Sequence, residues 1–172
     1  MQEKLKLEMS QEKTLITNAQ DSAKFLGYEI SVRKDYTTQK NARGETRRHR
    51  NGNVILHVSR EVIKKKLLSL EAMNVKTRNG KEVWSSKGRT YLIDNEPQDI
   101  VARFNTEIRG FYNYYSIANN ASALGRSFGC IMRFSMLKTF AQKLNSSVRT
   151  ITNKYREDDK FVVWYTDKKG ER

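Results

Sequence analysis

Covalent chemistry has few footholds in this chain. His49 lies in a run of arginines and His57 near the end of an apolar stretch. Neither has a cysteine or carboxylate cluster at metal-ligand spacing. Cys130 is the single cysteine, which rules out an internal disulfide and any multi-cysteine zinc site. Within "FGCIMRF" it is expected to be a small buried apolar residue. No glycine-rich loop ends in Lys-Ser or Lys-Thr, so a nucleotide-cradling loop is not expected. Ser59 precedes a helical pattern and reads as an N-cap rather than a nucleophile. No catalytic residue and no metal ligand is assigned.

The residues with binding chemistry are cationic and planar. Residues 34–53, "KDYTTQKNARGETRRHRNGN", hold Arg43, Arg47, Arg48 and Arg50 with almost nothing apolar. Such a loop cannot serve a core, and close guanidinium groups repel unless an anion sits among them. A second group lies in "EIRGFYNYYSIANN", residues 107–120, where four aromatics surround Arg109. At about 100° per residue, Phe111 and Tyr115 fall in an apolar seam. Asn105, Arg109, Asn113 and Ser116 share another flank, with Tyr112 at its border. Arginine can fork onto phosphate oxygens or stack on a base. The overall balance agrees: 33 Lys and Arg against 19 Asp and Glu leave +14 on 172 residues, a field that attracts polyanions. No apolar run approaches the roughly 18 residues of a spanning helix. "MQEKLKLEMS" is too charged for a signal peptide. A membrane partner is not expected, and the expected location is the cytoplasm of a bacterium or an organelle interior.

These groups need a scaffold. "KTLIT" (13–17), "FLGYEISVR" (25–33) and "VILHV" (54–58) read as strands, with the basic stretch 34–53 as a long hairpin tip or loop. After Ser59, "REVIKKKLLSLEAM" reads as a helix whose Ile63, Lys66, Leu67 and Leu70 follow helical spacing, Lys64 and Lys65 facing away. Residues 74–93 carry turn signals at Asn79-Gly80 and Lys87-Gly88 and aromatic anchors at Trp84 and Tyr91. A connection of that length predicts some β-structure. Pro97 opens a second helix with a seam of Val101, Phe104, Ile108, Phe111, Tyr115 and Ala118. A third helix is expected to run unbroken over 121–155. Its apolar stripe comprises Leu124, Phe128, Ile131, Phe134, Leu137, Phe140, Ala141, Leu144, Val148 and Ile151, with Gly125 or Gly129 able to bend its start. The fold class is therefore α+β, mainly α: a small antiparallel β segment (1–57), a three-helix bundle (58–157) and a C-terminal strand or tail (158–172). The β segment is too small to close a core alone. It is expected to be the edge of a larger sheet domain, with self-association through that edge.

"EIRGFYNYYSIANN" resembles the hallmark of domain X, the maturase-specific thumb of group II intron reverse transcriptases. That family typically shows an arginine-glycine, then Asn-Tyr-Tyr, then a helix with Leu-Lys-Thr. Here these are Arg109-Gly110, Asn113-Tyr114-Tyr115 and Leu137-Lys138-Thr139. "LEMSQEKTLIT" followed by "AKFLGYEI" is similar to the last conserved block of the family's polymerase palm. The resemblance covers nearly the whole chain, in the family's own order. It implies a palm remnant over 1–57 and domain X over 58–157. Its function would be to grip structured group II intron RNA, and a template–primer RNA–DNA duplex in the parent, to assist splicing and mobility. The residues expected to contact RNA are Arg43, Arg47, Arg48, Arg50, Lys64, Lys65, Arg109, Tyr112, Asn113, Arg126, Arg133, Lys138 and Lys143. The parent polymerase holds magnesium through an aromatic-x-Asp-Asp motif. In "YREDD" (155–159) the tyrosine and aspartates are one residue too far apart, and a position after a helix rather than at a β-hairpin is expected. No polymerase activity and no cofactor is therefore expected here. The alternative reading is a basic helical DNA-binding protein, although no compact helix-turn-helix spacing is present.

Overall fold

The computed structural model describes residue 16 and residues 18–34, 40–46 and 52–166. The chain divides into two compact units, Met1–His57 and Val58–Arg172. The strand expected over 13–17 lies outside the described residues apart from Ile16.

In the first unit β1 (Ala23–Phe25) and β2 (Tyr28–Val32) form an antiparallel hairpin that pairs Ala23 with Ile30 and Phe25 with Tyr28. Its turn is Leu26-Gly27, at φ 50° and 81°. A two-residue turn with both φ values positive matches the strands' twist. β3 (Val54–Val58) lies on the other side of β2, giving the order β1-β2-β3. Within the basic stretch, Lys40 pairs with Thr46 across a tight turn. Asn41 organises that turn by accepting the amides of Arg43 and Glu45 on its Oδ1 at 3.0 and 2.9 Å.

The second unit begins with α1 (Arg60–Ser69), capped as expected by Ser59, whose Oγ accepts from the Val62 amide at 3.4 Å. Ile63 and Leu67 are its buried face. The helix stops before residue 73 because Glu71 turns left-handed at φ 52°. The Ala72 amide then reaches back to Leu67 O and the Glu71 amide to Leu68 O, a Schellman stop. The expected β-structure follows as a hairpin of β4 (Met73–Arg78) and β5 (Lys81–Ser86), turning at Asn79-Gly80 with φ 51° and 71°. Trp84 is half-buried under the Arg60 guanidinium, 4.5 Å from the ring centre. Tyr91 is not an anchor: it is exposed, and the buried residue of its 3-10 turn is Leu92.

α2 (Pro97–Tyr114) starts with Pro97 in its first turn and buries Ile100, Phe104 and Phe111. Phe111 stacks on Phe128 at 4.0 Å between centroids and tilts against Tyr115 at 4.8 Å. The expected unbroken third helix is instead α3 (Ala121–Leu124), a π-helical turn (Gly125–Gly129), α4 (Cys130–Lys143) and α5 (Val148–Lys154). The break between α4 and α5 repeats the device that ends α1. Asn145 turns left-handed at φ 44°, the Ser146 amide reaches Ala141 O, and Ser147 then caps α5 by accepting the Thr150 amide.

The stripe on α4 also differs from expectation. Phe134, Leu144 and Cys130 are exposed, whereas Ser135 and Thr139 are fully buried beside Met132, Met136, Leu137 and Phe140. The reason is a polar segment packed along that face, described below. The chain closes with β6 (Arg156–Glu157) and β7 (Lys160–Phe161), anchored where the Phe161 ring meets Phe140 and Tyr155 at 5.1 and 5.3 Å. Asp158 and Asp159 thus do lie at a β-hairpin, contrary to expectation. Both take left-handed φ values, 45° and 61°, which a short polar side chain tolerates.

Candidate nucleic-acid interface

Residues 86–93 run from β5 toward α2 as a strap along α4. Four α4 side chains at helical spacing hold it. Ser135 Oγ donates to Lys87 O (2.5 Å), Lys138 Nζ to Ser86 O (2.6 Å) and Lys143 Nζ to Ile93 O (2.8 Å). Thr139 Oγ1 accepts the Arg89 amide at 2.9 Å and donates to Ser135 O. Buried hydroxyls are tolerated there because each is paired. From the strap, Arg89 plunges into the core with no exposure. Its Nη1 meets Glu107 Oε2 at 2.6 Å, Nη2 lies 3.5 Å from Met132 Sδ, and the guanidinium sits 4.3 Å from the Phe104 ring centre. Glu107 also takes Arg103 Nε at 2.8 Å. Strap, α2 and α4 are therefore locked through one buried arginine. At the other end of α2, the Asn120 carboxamide pairs with both the amide and the carbonyl of Val58, each at 3.0 Å.

This frame fixes the polar flank of α2. Arg109 and Asn113 are exposed and Tyr112 is half-buried. The Tyr112 hydroxyl lies over the π-helical turn: a Cβ on Gly125 would sit 2.6 Å from it, and one on Gly129 3.6 Å. Burial pushes the Tyr112 phenol pKa above its ordinary 10.0. That hydroxyl ties α2 to the π-helical turn that carries Arg126, and Arg133 follows one helical turn beyond Gly129. Arg109, Arg126 and Arg133 form no ion pair among the described residues and all are exposed. The sequence of this region is one-signed. Between Glu107 and Glu157 the sequence has no carboxylate side chain, yet it carries Arg109, Arg126, Arg133, Lys138, Lys143, Arg149, Lys154 and Arg156.

The other sequence-derived residues fall elsewhere. Arg43 is exposed at the tip of the Asn41 turn in the first unit. Arg47, Arg48 and Arg50 lie outside the described residues. Lys65 is exposed on α1, and Lys64 beside it pairs with Glu82 at 2.5 Å. That hydrogen bond from Lys64 holds the exposed Glu82 carboxyl below its ordinary 4.5. Lys138 and Lys143, read from sequence as outward cations, are half-buried with their ammonium groups on strap carbonyls. Sequence reasoning missed Arg89, Glu107, Ser135 and Thr139 as the parts that position the interface. The one local signal was two hydroxyl residues four apart inside an apolar helix.

The Asp159 carboxylate is paired with the Arg156 guanidinium across the hairpin turn. Among the described residues no three His, Cys, Asp or Glu side chains group to hold an ion. Among them, too, no helix is long and apolar enough to cross a membrane.

Comparison with known proteins agrees with the resemblance. The chain is 31% identical over 170 residues, 98% of its length, to the group II intron-encoded protein LtrA of Lactococcus lactis subsp. cremoris. It is 30% identical over 146 residues, 83% of its length, to a 91 kDa protein in the cob intron of Schizosaccharomyces pombe. It spans 28% and 17% of these two relatives' own lengths. Residues 51–169, which take in the strap, α2, the π-helical turn and α4, match the family described as type II intron maturase, and the chain belongs to that family.

Proposed function

We propose that this chain is a binding module that grips structured group II intron RNA and favours its splicing-competent shape, the RNA itself supplying the bond-making groups. The observation that carries this reading is the contact of Tyr112 with the π-helical turn inside a basic stretch of sequence without carboxylates. Arg109, Arg126 and Arg133 are exposed on α2, the π-helical turn and α4, within a stretch from 108 to 156 whose sequence holds no carboxylate side chain. Folded RNA is read mostly through phosphates, 2′-hydroxyls and shape, with unstacked bases taken by planar side chains. Guanidinium groups suit both tasks. The basic stretch with Arg43, Arg47, Arg48 and Arg50 supplies further positive charge, as does the exposed Lys65 on α1. Lys64, Lys138 and Lys143 contribute charge while serving the fold. In a longer polypeptide of this family the helices would act as a thumb over an RNA–DNA duplex.

The test is affinity of the whole chain for a group II intron RNA between 50 and 200 mM salt. About six phosphate contacts predict a loss on the order of a thousandfold. Replacing Arg109, Arg126 and Arg133 together by Gln lowers affinity and the salt slope, with the thermal midpoint unchanged. An affinity that barely moves with salt refutes the electrostatic reading. Duplex DNA of equal length outcompeting the RNA would favour a DNA-binding protein instead.

A further inference from the structure

On the flank of α4 opposite Arg133, an open groove of about 520 Å³ lies between the strap and the α4–α5 break. Gly88, Lys138, Ala141, Gln142, Asn145, Ser146 and Ser147 line it. Gln142 is nine residues from Arg133, two and a half helical turns, hence on the other side of the helix. The groove is therefore separate from the arginine face.

Its construction is specific. The strap passes so close to α4 at Gly88 that a Cβ there would lie 2.6 Å from Gln142 Oε1 and 3.1 Å from the Lys138 carbonyl carbon. Glycine lets the Gln142 carboxamide lie across the strap. The left-handed Asn145 then turns the chain away and opens the far end of the groove. The lining chemistry is equally particular: two carboxamides, two hydroxyls and one ammonium, with no carboxylate. Carboxamides and hydroxyls both donate and accept, as a ribose hydroxyl does. The Lys138 ammonium places one N–H on Ser86 O and keeps two more for an anionic oxygen. A lining without carboxylates has little to offer a metal cation, and its polarity little to offer an apolar ligand. The volume lies within the range that encloses small molecules and suits one nucleotide.

From this geometry we infer that the groove is a ribose-phosphate subsite, taking the sugar and phosphate of one RNA nucleotide and favouring RNA over DNA through the 2′-hydroxyl. The inference rests on the RNA-binding reading above and adds a second point of grip, on the opposite flank of α4.

The test compares the whole chain's affinity for a structured intron RNA and for a DNA of the same sequence. Two variants alter the groove independently: Gln142→Ala with Ser146→Ala removes polar partners, and Ala141→Trp fills the space. Each is expected to weaken RNA binding roughly tenfold, the equivalent of one to two hydrogen bonds, and to weaken DNA binding distinctly less. A scan of single 2′-deoxy substitutions in the RNA against the unaltered chain needs no protein variant. At least one position should weaken binding several-fold, and that penalty should vanish in the Gln142→Ala, Ser146→Ala protein. If the chain binds RNA and neither the variants nor the scan change its RNA-to-DNA ratio, the groove inference falls and the RNA-binding reading stands. An equal loss for RNA and DNA overturns the 2′-hydroxyl assignment. Absence of RNA binding by the unaltered chain overturns both.

Discussion

Glu107→Ala should be among the most damaging single changes in the second unit, although half of its partners sit at the surface. Arg89 is fully buried, and its Nε has no hydrogen-bond partner among the described residues. Its charge is compensated by Glu107 at 2.6 Å and, more weakly, by the Phe104 ring at 4.3 Å. Removing the carboxylate strands the guanidinium in the core, and breaking a buried pair from one side costs about 3–5 kcal/mol. The lower end applies here because the Glu107 side chain keeps 11% exposure, through which water can enter. For a chain of this size each kcal/mol moves the thermal midpoint by about 2–4 °C, so a drop of roughly 6–12 °C is expected. Arg103, the other partner of Glu107, is 63% exposed, and Arg103→Ala should cost at most about 0.5 kcal/mol.

Urea unfolding of the two variants measures the contrast, and variants that remove the buried charge identify its cause. Arg89→Met alone leaves Glu107 with Arg103 and water, a milder insult. Arg89→Met with Glu107→Leu replaces the pair by apolar side chains and should be more stable than Glu107→Ala alone. If Glu107→Ala and Arg103→Ala cost the same, or if the double variant is the worst of the set, the buried arginine is not what locks the strap to the helices.

Three further outcomes follow from single contacts. Gly125→Ala should destabilise by about 1 kcal/mol, because its Cβ would meet the Tyr112 hydroxyl at 2.6 Å; in a Tyr112→Phe background the next ring atom is 3.9 Å away, so the penalty should largely disappear from thermal melts. Thr139→Val leaves the buried Arg89 amide without its acceptor and should cost about 1–3 kcal/mol in urea unfolding, while Thr139→Ser should cost less. Lys64→Met should let the Glu82 carboxyl return toward 4.5 in an NMR titration; the ion pair's contribution is present above that value and is lost as pH falls through the lowered folded-state value, so the two proteins should converge in stability at acid pH.

Much of the local structure was legible because its signals are short-range. Ser59 before an apolar helical pattern, Asn79-Gly80 between alternating residues and Pro97 at a helix start each act within a few positions, and each appears where expected. The break at Asn145 was missed because residues 121–155 have good helical spacing, and an asparagine in that run is ambiguous until its φ is known. Glu71 ends α1 in the same way with a residue type that gives no warning at all. The strap could not be read from its own sequence. Lys87-Gly88 looks like a turn, and nothing near Arg89 says that its carboxylate partner lies 18 residues on. The burial of Ser135 and Thr139 follows from that unseen neighbour, and the displacement of Phe134 to the surface follows from theirs. Lys138 and Lys143 were read as outward charges for the same reason: their acceptors are carbonyls about fifty residues upstream.

The placement of the motif residues changes what the motif means here. Leu137 is core, while Lys138 and Thr139 hold the strap; Tyr115 is buried against Phe111, and Asn113 is exposed at the polar flank. Most of the recognisable positions are thus consumed in building the frame, because a polar group on a helix face is worth keeping where a buried backbone group depends on it. The residues best placed to meet a phosphate, Arg109, Arg126 and Arg133, need only be cationic and exposed. A face of that kind tolerates exchange of individual charges, whereas the frame does not tolerate loss of one hydroxyl. Changes at Leu137 and Thr139 should therefore weaken RNA binding only by loosening the fold, whereas a change at Lys138 also removes the ammonium that the groove would present to a phosphate. Changes at the arginines should weaken RNA binding in a protein that remains as stable as before.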